Sequence, residues 1–368
     1  MGSARAIIHL DHFMENFRII QKIVGQEKRI CVPVKADAYG HGAKEIARAS
    51  LKAGAFCFAV ADLQEGALLR NDGITAPILL FSQALPYEIP EIIKNKLTPL
   101  VSDIEFIQML DDAASTANTR LPVHLKIDTG MGRLGCTPAQ AVELARKISS
   151  SNGLEYAGTL THFACADSSV QSDIEYTERQ IACFDKVVKE IQAAGIDTGI
   201  VHAANSGAVI LHPKARYNMI RPGILLYGYN FSGVKPVMEL RANIVHLKQV
   251  KKGDHISYGR TWTAEKDTTI GVLQIGYADG LPRLAGNKWQ VYIKGNLYPI
   301  AGRICMDQCM VDLGSISRVC RWDEAVIFGG PAPDAGELAS LTGTIPYEIT
   351  CNINKRVTRE YLSQPVSP

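Results

Sequence analysis

The prediction of the fold starts from one stretch of the chain, Cys31-Val32-Pro33-Val34-Lys35-Ala36-Asp37-Ala38-Tyr39-Gly40-His41-Gly42. The apolar run from Ile30 to Val34 predicts a buried strand, and a helical pattern begins at Ala43. A lysine at the end of a buried strand is unusual, because lysine is rarely buried without a partner. Lys35 is therefore either a snorkelling side chain or a desolvated amine that can form an imine with an aldehyde such as pyridoxal phosphate.

Short apolar runs alternate with helical patterns, such as Ala139–Ile148 and Asp173–Ala194, over the first two thirds of the chain. Alternating strands and helices predict a parallel sheet, and a count of eight favours a closed (β/α)8 TIM-like barrel over an open doubly wound sheet. The eight runs are Ile30–Lys35, Phe56–Val60, Pro77–Phe81, Leu97–Ser102, Leu121–Asp128, Leu154–Phe163, Gly199–Asn205 and Tyr217–Arg221.

The pattern changes near Gly233, and from Pro236 onward short β-rich runs are separated by turn signals such as Gly286-Asn287 and Gly295-Asn296. This predicts a smaller, mostly antiparallel β domain. We expect a barrel domain over residues 11–233 and a second domain over 234–368, joined by a strand in residues 1–10. Asp11 is expected to cap a helix that runs through Val24. The tail, residues 364–368, is expected to be disordered.

Composition excludes several classes of function. The formal net charge of +2 gives no electrostatic case for nucleic acid or membrane surfaces, and no apolar run is long enough to span a bilayer. The nine cysteines include no CxxC pair, so we expect neither a disulfide framework nor a metal site. Charged and polar residues at Asp11, His12, Glu15 and Arg18 interrupt the apolar core that a signal peptide needs, which predicts a cytoplasmic protein.

Polar residues follow five of the predicted barrel strands. In such barrels the reactive groups lie at the C-terminal ends of the strands, and phosphate is bound by the loops after strands seven and eight. Those loops contain Ser206 with Gly207 and Gly223 with Ile224, and small residues such as these glycines allow backbone N–H groups to approach an anion closely. The strand-end groups are Lys35, Lys126 and Asp128 with Arg133 in their loop, His162, Asn205-Ser206-Gly207 and Arg221-Pro222-Gly223.

A competing interpretation comes from residues 130–135, which fit the GxGxxG pattern of dinucleotide-binding proteins. That fingerprint also requires an acidic residue about 20 positions later at a strand end. Glu155 has the spacing but lies at a strand start, and the pattern follows the fifth strand rather than the first. Dinucleotide binding is therefore the weaker interpretation.

The stretch from Val34 to Gly42 resembles the cofactor-lysine signature of alanine racemases. The resemblance continues in family order through residues 256–261, 276–280 and 302–308 and covers nearly the whole chain. It implies a barrel enzyme that uses pyridoxal 5'-phosphate, with Lys35 carrying the cofactor covalently.

The resemblance also implies how the cofactor is held. In the family, the residues that match Ser206, Gly223 and Ile224 bind its phosphate, and those that match Tyr39 and Tyr347 bind it through their hydroxyls. Asn205 and His162 are expected beside them. The arginine that matches Arg221 faces the pyridine nitrogen; because arginine only donates hydrogen bonds, that nitrogen must stay unprotonated.

Racemisation needs an acid/base group on each face of the α-carbon. By resemblance, Lys35 serves the D-isomer and Tyr258 the L-isomer, with Tyr258 contacting His162 and reaching the site of a second subunit in a homodimer. Arg133 and the backbone of Met306 are implied to bind the substrate carboxylate. Lys126 matches a lysine that is carbamylated in many relatives, where it orients the arginine that matches Arg133.

The resemblance implies interconversion of L- and D-alanine by two-base α-proton exchange, which supplies D-alanine for peptidoglycan. A serine racemase or one of broader specificity is the main alternative, because one added hydroxyl is a weak basis for discrimination. Less favoured alternatives are a non-catalytic barrel that binds pyridoxal phosphate and a decarboxylase of the same barrel class. The decarboxylases usually have longer glycine-rich loops and a catalytic cysteine, and neither pattern occurs here.

Overall fold

The computed structural model describes residues 4–363, and its chain divides into two compact units. The first comprises residues 16–38 and 43–226 and contains a closed barrel of eight parallel strands, β2 to β9. This confirms the barrel prediction. The strands are β2 Arg29–Pro33, β3 Cys57–Val60, β4 Ile78–Leu80, β5 Thr98–Val101, β6 Leu121–Lys126, β7 Leu154–Leu160, β8 Ile200–His202 and β9 Met219–Ile220.

Each barrel strand pairs with the next along the chain, and β2 pairs with β9 to close the barrel. The strands are short and apolar, and nearly all their residues are buried, as expected when a helical layer surrounds a parallel sheet. The helices in and around this unit are Leu10–Val24, Ala43–Ala53, Leu63–Asn71, Ile89–Lys94, Ile104–Thr116, Ala141–Ser150, Gln171–Ala193 and Ser206–Leu211.

The other unit comprises, among the described residues, 4–15, 39–42 and 227–363. Its main sheet is antiparallel except that β1 and the last strand run parallel, which confirms the prediction of a mostly antiparallel fold. Its strands are β1 Ala4–His9, β10 Met238–Val250, β11 His255–Ile256, β12 Trp262–Thr263, β13 Thr268–Leu273, β14 Gln290–Ile293, β15 Asn296–Pro299, β16 Cys309–Asp312, β17 Glu324–Phe328 and β18 Thr358–Leu362, and its helices are Ala335–Thr342 and Pro346–Cys351.

Several local predictions need correction. The helix expected to be capped by Asp11 begins at Leu10, so Asp11 lies in its first turn. All the barrel strands except β3 end earlier than predicted, so Lys35, Asp128, His162, Asn205 and Arg221 lie in the loops beyond their strands. Beyond the strands, Asp128 and Asn205 accept hydrogen bonds from N–H groups of the residues that follow them. The predicted disorder of residues 364–368 lies outside the described residues, and the domain boundaries stay a prediction.

No helix within residues 4–363 is long and apolar enough to cross a membrane.

Candidate active site

Lys35 begins a left-handed turn two residues after β2 ends. Ala36, Asp37 and Ala38 have φ values of 50°, 53° and 55°, and Tyr39 continues the turn with φ 53°. Residues with a Cβ adopt this conformation at a cost of about 1–2 kcal/mol each. None of the four is glycine, so tertiary contacts must hold the turn in place.

Three hydrogen bonds hold the turn. The Ala36 N–H donates to Glu65 Oε1 over 2.6 Å, and the Ala38 N–H donates to the Val34 carbonyl over 2.8 Å. Asp37 Oδ1 accepts from the N–H of Ala43, where the next helix begins, over 2.8 Å. Burial raises the pKa of Glu65 even though two backbone N–H groups donate to its carboxylate. The position of Lys35 is therefore set by a strained turn rather than by the end of its strand.

Arg221 lies in the loop after β9 and is only 3% exposed. Its guanidinium donates to the carbonyls of Thr161 and Ala203, each over 2.8 Å, and to Nδ1 of His202 over 2.9 Å. A longer contact of 3.3 Å reaches Nδ1 of His162. Its Nε is buried without a hydrogen-bond partner among residues 4–363. One buried donor is thus left to be satisfied by something other than these residues.

The contacts of Arg221 select the tautomers of three histidines. Burial lowers the pKa of Arg221 to about 10, so it remains a donor-only cation at neutral pH. His202 Nδ1 must then accept, and its Nε2–H donates to Nδ1 of His124 over 2.8 Å. Likewise His162 accepts at Nδ1 and carries its proton on Nε2. Burial, followed by the charge of Arg221, lowers the pKa of all three histidines, so all are neutral at pH 7.

Positive charge accumulates around His162. The cations that lower its pKa after burial are, in order, Arg221, Lys126, Arg133 and Lys35. Burial and then Arg221 and Arg133 lower the pKa of Lys126 to about 8, and Asp128 is the one carboxylate that opposes them. Lys126 forms no ion pair with a carboxylate in the described part of the chain. Such a cluster is electrostatically incomplete without an anion.

The loops after β8 and β9 are linked to each other. Ser206 Oγ accepts from the N–H of Leu225 over 3.3 Å, and the N–H of Arg221 donates to the carbonyl of Ala204 over 2.9 Å. Asn205 caps the helix Ser206–Leu211 by accepting from the N–H of Ala208. The structure therefore brings Ser206 to the segment that contains Gly223 and Ile224, the residues predicted to bind phosphate. Asn205 acts there as a helix cap.

The glycine pattern at residues 130–135 does not introduce a helix. The helix Ala141–Ser150 begins well after it, and the N–H groups of Gly130 and Gly132 both donate to Asp128 Oδ1. In a dinucleotide site the pyrophosphate lies on the helix N-terminus. Here the Asp128 carboxylate already accepts from the N–H groups of Gly130 and Gly132. These hydrogen bonds fix the loop backbone next to Arg133 instead of binding a pyrophosphate.

In the other unit, three loops pack together around Tyr258 and Met306. Ser257 Oγ donates to the carbonyl of Arg303 over 2.6 Å. The N–H groups of Tyr277 and Ala278 donate to the carbonyls of Cys305 and Met306 respectively, each over 3.0 Å. A Cβ on Gly276 would lie 2.2 Å from the Met306 carbonyl oxygen, so only glycine fits there. Tyr258 is 70% exposed and Met306 53%, which leaves both side chains available.

Tyr39 and Tyr347, the two tyrosines predicted to bind phosphate, also meet in this unit. Their ring centroids lie 5.6 Å apart in an edge-on arrangement, and Tyr39 packs on Tyr227 at 4.9 Å. Edge-to-face contact holds such rings in defined orientations.

Sequence reasoning missed three residues that position the others. His202 and His124 fix the hydrogen bonding of Arg221, and the only sequence signal is a polar residue within an apolar strand. Arg356 donates to Asp279 Oδ1 over 2.6 Å and to Asp307 Oδ1 over 2.7 Å, which joins the loop at Gly276 to the one at Met306. No local sequence pattern predicts these two hydrogen bonds of Arg356.

Comparison with known proteins gives the family. The profile described as alanine racemase, N-terminal domain, matches residues 8–231, and the one described as alanine racemase, C-terminal domain, matches residues 237–361. The alanine racemase of Treponema denticola is 48% identical, with 100% of both chains covered. The chain belongs to the alanine racemase family. Members of this family are isomerases that act on amino acids and depend on pyridoxal phosphate.

Solved structures of the family match nearly the whole chain. The alanine racemase of Clostridium difficile 630 matches with a TM-score of 0.92 and 37% identity, covering 98% of this chain and 96% of that one. The alanine racemase of Streptomyces lavendulae, a producer of D-cycloserine, matches with a TM-score of 0.93 and 33% identity, covering 99% and 98%. The alanine racemase of Treponema pallidum is 43% identical over 98% of this chain and 100% of its own.

Proposed function

We propose that this chain interconverts L- and D-alanine with pyridoxal 5'-phosphate bound at the C-terminal end of its barrel. The observation that supports this most directly is the cluster of Lys35, Lys126, Arg133 and Arg221 around neutral histidines, opposed by Asp128. A phosphorylated cofactor and an amino-acid carboxylate would supply the negative charge that the cluster needs.

The donor set at Arg221 fits the cofactor. Its Nε is a buried donor without a partner among residues 4–363, and a neutral pyridine nitrogen is an acceptor without a proton. Ser206, Gly223 and Ile224, with the hydroxyls of Tyr39 and Tyr347, would hold the phosphate. When bound, the cofactor draws electrons from the substrate and so acidifies its α-hydrogen.

Lys35 and Tyr258 would move the proton on opposite faces of the α-carbon. A tyrosine with its ordinary pKa of about 10 needs help to act as a base near neutrality. His162 is suited to contact it, because Arg221 keeps the His162 proton on Nε2, and a donated hydrogen bond stabilises a phenolate. Arg133 and the backbone of Met306 would hold the substrate carboxylate.

Tyr258 is expected to act in the site of a second copy of this chain. At 70% exposure the phenol in a single chain is surrounded by water, whereas proton transfer requires a positioned and largely desolvated group. A homodimer in which each chain supplies Tyr258 and Met306 to its partner would complete two sites. We place this reaction in the cytoplasm, where it would supply D-alanine for peptidoglycan.

Lys126 is expected to carry a carbamate. A neutral Lys126 amine attacks carbon dioxide, the new N–C bond forms, and one proton leaves to solvent. The product is an anion in place of a cation. This change would replace repulsion from Arg221 and Arg133 by attraction, and Arg133 would gain an acceptor that fixes its side chain.

The test is chiral analysis of L-alanine incubated with the protein and pyridoxal phosphate in deuterated water. We expect D-alanine with deuterium at the α-carbon. Lys35→Ala should be inactive, and Tyr258→Phe should lose about 10²–10⁴-fold, the usual contribution of one acid/base group. Tyr87→Phe changes a tyrosine that is 76% exposed and should keep full activity.

The outcomes separate the alternatives. Racemisation of serine at a rate comparable to that of alanine would favour the broader-specificity enzyme. Cofactor absorption without deuterium exchange in any amino acid would contradict the proposal and favour a non-catalytic binding barrel. Exchange without inversion would mean that only one face works, and the role of Tyr258 would then be wrong.

A further inference from the structure

His9, Asp11 and His12 form a cluster at the junction between β1 and the helix Leu10–Val24. One ligand atom from each residue lies within 4.8 Å of those of the other two. The two imidazole rings are nearly parallel, with centroids 4.6 Å apart and an angle of 14° between their planes. All three side chains are partly exposed, so solutes can reach them. Nothing in the racemisation chemistry uses these residues.

One ring nitrogen of each imidazole contacts an oxygen atom of a neighbouring residue. His12 donates from Nδ1 to the carbonyl of Pro236 over 2.9 Å, which leaves its Nε2 with a lone pair. His9 contacts Glu239 Oε2 through Nε2 at 3.4 Å, which leaves Nδ1. Glu239 is buried and also accepts from Arg241. Metal-bound histidines show this arrangement, with one nitrogen on the ion and the other donating to a carbonyl or carboxylate.

The third residue supplies an independent observation. Asp11 Oδ1 is buried and has no hydrogen-bond partner in the described part of the chain. A buried carboxylate oxygen without a partner is costly and points to a missing cation or donor. Asp11 offers a carboxylate oxygen within 4.8 Å of ligand atoms of both histidines, so a cation bound by the histidines would also neutralise this carboxylate.

We propose that His9, Asp11 and His12 bind a divalent transition-metal ion, with Zn²⁺ as the representative. Two imidazoles and one carboxylate suit borderline ions, whereas Mg²⁺ and Ca²⁺ prefer oxygen ligands alone. Zinc–ligand distances of about 2.0–2.2 Å place neighbouring ligand atoms roughly 3.3 Å apart, so the ligand atoms approach one another by at most about 1.5 Å on binding. Water fills the remaining position. The ion would join the end of β1 to the start of the helix.

The test compares zinc binding by the full chain with that of His12→Asn, by equilibrium dialysis and by the thermal unfolding midpoint with and without Zn²⁺. The matched control is His255→Asn, which changes an exposed histidine in the same unit. We expect the chain and the control to bind one more Zn²⁺ than His12→Asn, with affinity at that site lowered about 100-fold or more in the variant. Only the chain and the control should show the full rise in midpoint. Binding by cysteines is common to all three and cancels in the difference.

A second variant distinguishes the loss of a metal ligand from misfolding of the chain. Asp11→Asn preserves the shape of the side chain but removes its charge, and it should also weaken zinc binding while leaving the far-ultraviolet circular dichroism unchanged. Equal zinc binding by the chain, His12→Asn and Asp11→Asn would overturn the proposal, as would the absence of zinc binding in the chain itself. Alanine racemisation is measured in parallel and is expected to survive all three substitutions, because the proposal is independent of catalysis.

Discussion

At the scale of single residues, the chemistry of the barrel unit depends on where charge is buried. Arg221 is buried beside two imidazoles and two carbonyls rather than beside a carboxylate, so its charge is solvated by dipoles alone. The same charge contributes to the lowered pKa values of His162, His202 and Lys126. One arginine thereby keeps the histidines neutral and makes Lys126 a better nucleophile than an ordinary lysine.

The pKa of about 8 for Lys126 leads to a prediction about carbamylation. About a tenth of its amine is neutral at pH 7, against well under about a thousandth for an ordinary lysine. The neutral fraction increases with pH up to and through the pKa, so the carbamate should increase between pH 6 and pH 8 at constant dissolved carbon dioxide. Nuclear magnetic resonance with ¹³C-labelled bicarbonate measures it directly.

The controls for this prediction are two lysine substitutions. Lys126→Met should abolish the signal, whereas Lys189→Met, at an exposed helical position, should leave it unchanged. A fully active protein that gives no carbamate signal at pH 8 would show that Arg133 is positioned in another way.

At the scale of elements, the turn after Lys35 is the least expected feature. Four consecutive residues with side chains adopt the left-handed conformation, and Glu65 and Asp37 hold the turn through backbone N–H groups. These hydrogen bonds offset the strain of the turn. The turn sets the position of Lys35 just after β2, and the chain continues from it to Tyr39.

This strain predicts opposite effects for one type of substitution at two sites. Ala36 is exposed, so Ala36→Gly removes no packing and should stabilise the protein by about 1 kcal/mol, because glycine tolerates positive φ. Ala182→Gly, on the exposed face of the helix Gln171–Ala193, should instead destabilise it by about 1 kcal/mol. Urea unfolding midpoints measure both.

Ala36→Pro provides the complementary check. Proline requires a φ near −65° and has no N–H to donate to Glu65, so we expect it to destabilise the protein by roughly 3 kcal/mol or more and to reduce cofactor binding. A destabilising Ala36→Gly would mean that the turn is not strained.

At the scale of the whole molecule, the proposed dimer predicts complementation between inactive chains. Lys35→Ala lacks one of the two proposed acid/base groups and Tyr258→Phe lacks the other. If each site takes Lys35 from one chain and Tyr258 from its partner, a mixed dimer contains one intact site. Activity should then recover to about a quarter of the native value per chain after random mixing: half of the dimers are mixed, and each has one of two sites.

The measurement requires proof that the chains exchange. Differently tagged chains purified in tandem isolate the mixed dimers, and their activity is compared with that of each parent. A purified mixed dimer with no activity above that of its parents would contradict the shared site while leaving the racemase proposal intact.

The sequence by itself determined the fold class and the family, and it predicted the main reactive residues. Eight apolar runs separated by helical periods predict a parallel sheet and favour a closed barrel, because strand burial and helical amphipathicity are local patterns with fixed periods. The stretch around Lys35 and the later segments at Tyr258 and Met306 pointed to the family, which the comparisons confirm. Strand ends were less well predicted, because apolar composition continues past the last ladder hydrogen bond.

Only the tertiary structure decided how the polar groups are paired. His124 and His202 are 78 residues apart, and His12 is held by a carbonyl 224 residues away, so no local pattern contains these contacts. The same holds for the left-handed turn. Alanine disfavours that conformation, and aspartate adopts it mainly as an isolated residue, so a run of such residues needs distant groups such as Glu65 to hold its backbone. Local sequence fixes which face of an element is buried. The folded chain fixes which buried polar atoms meet, because each of them must find a partner wherever the fold brings one within reach.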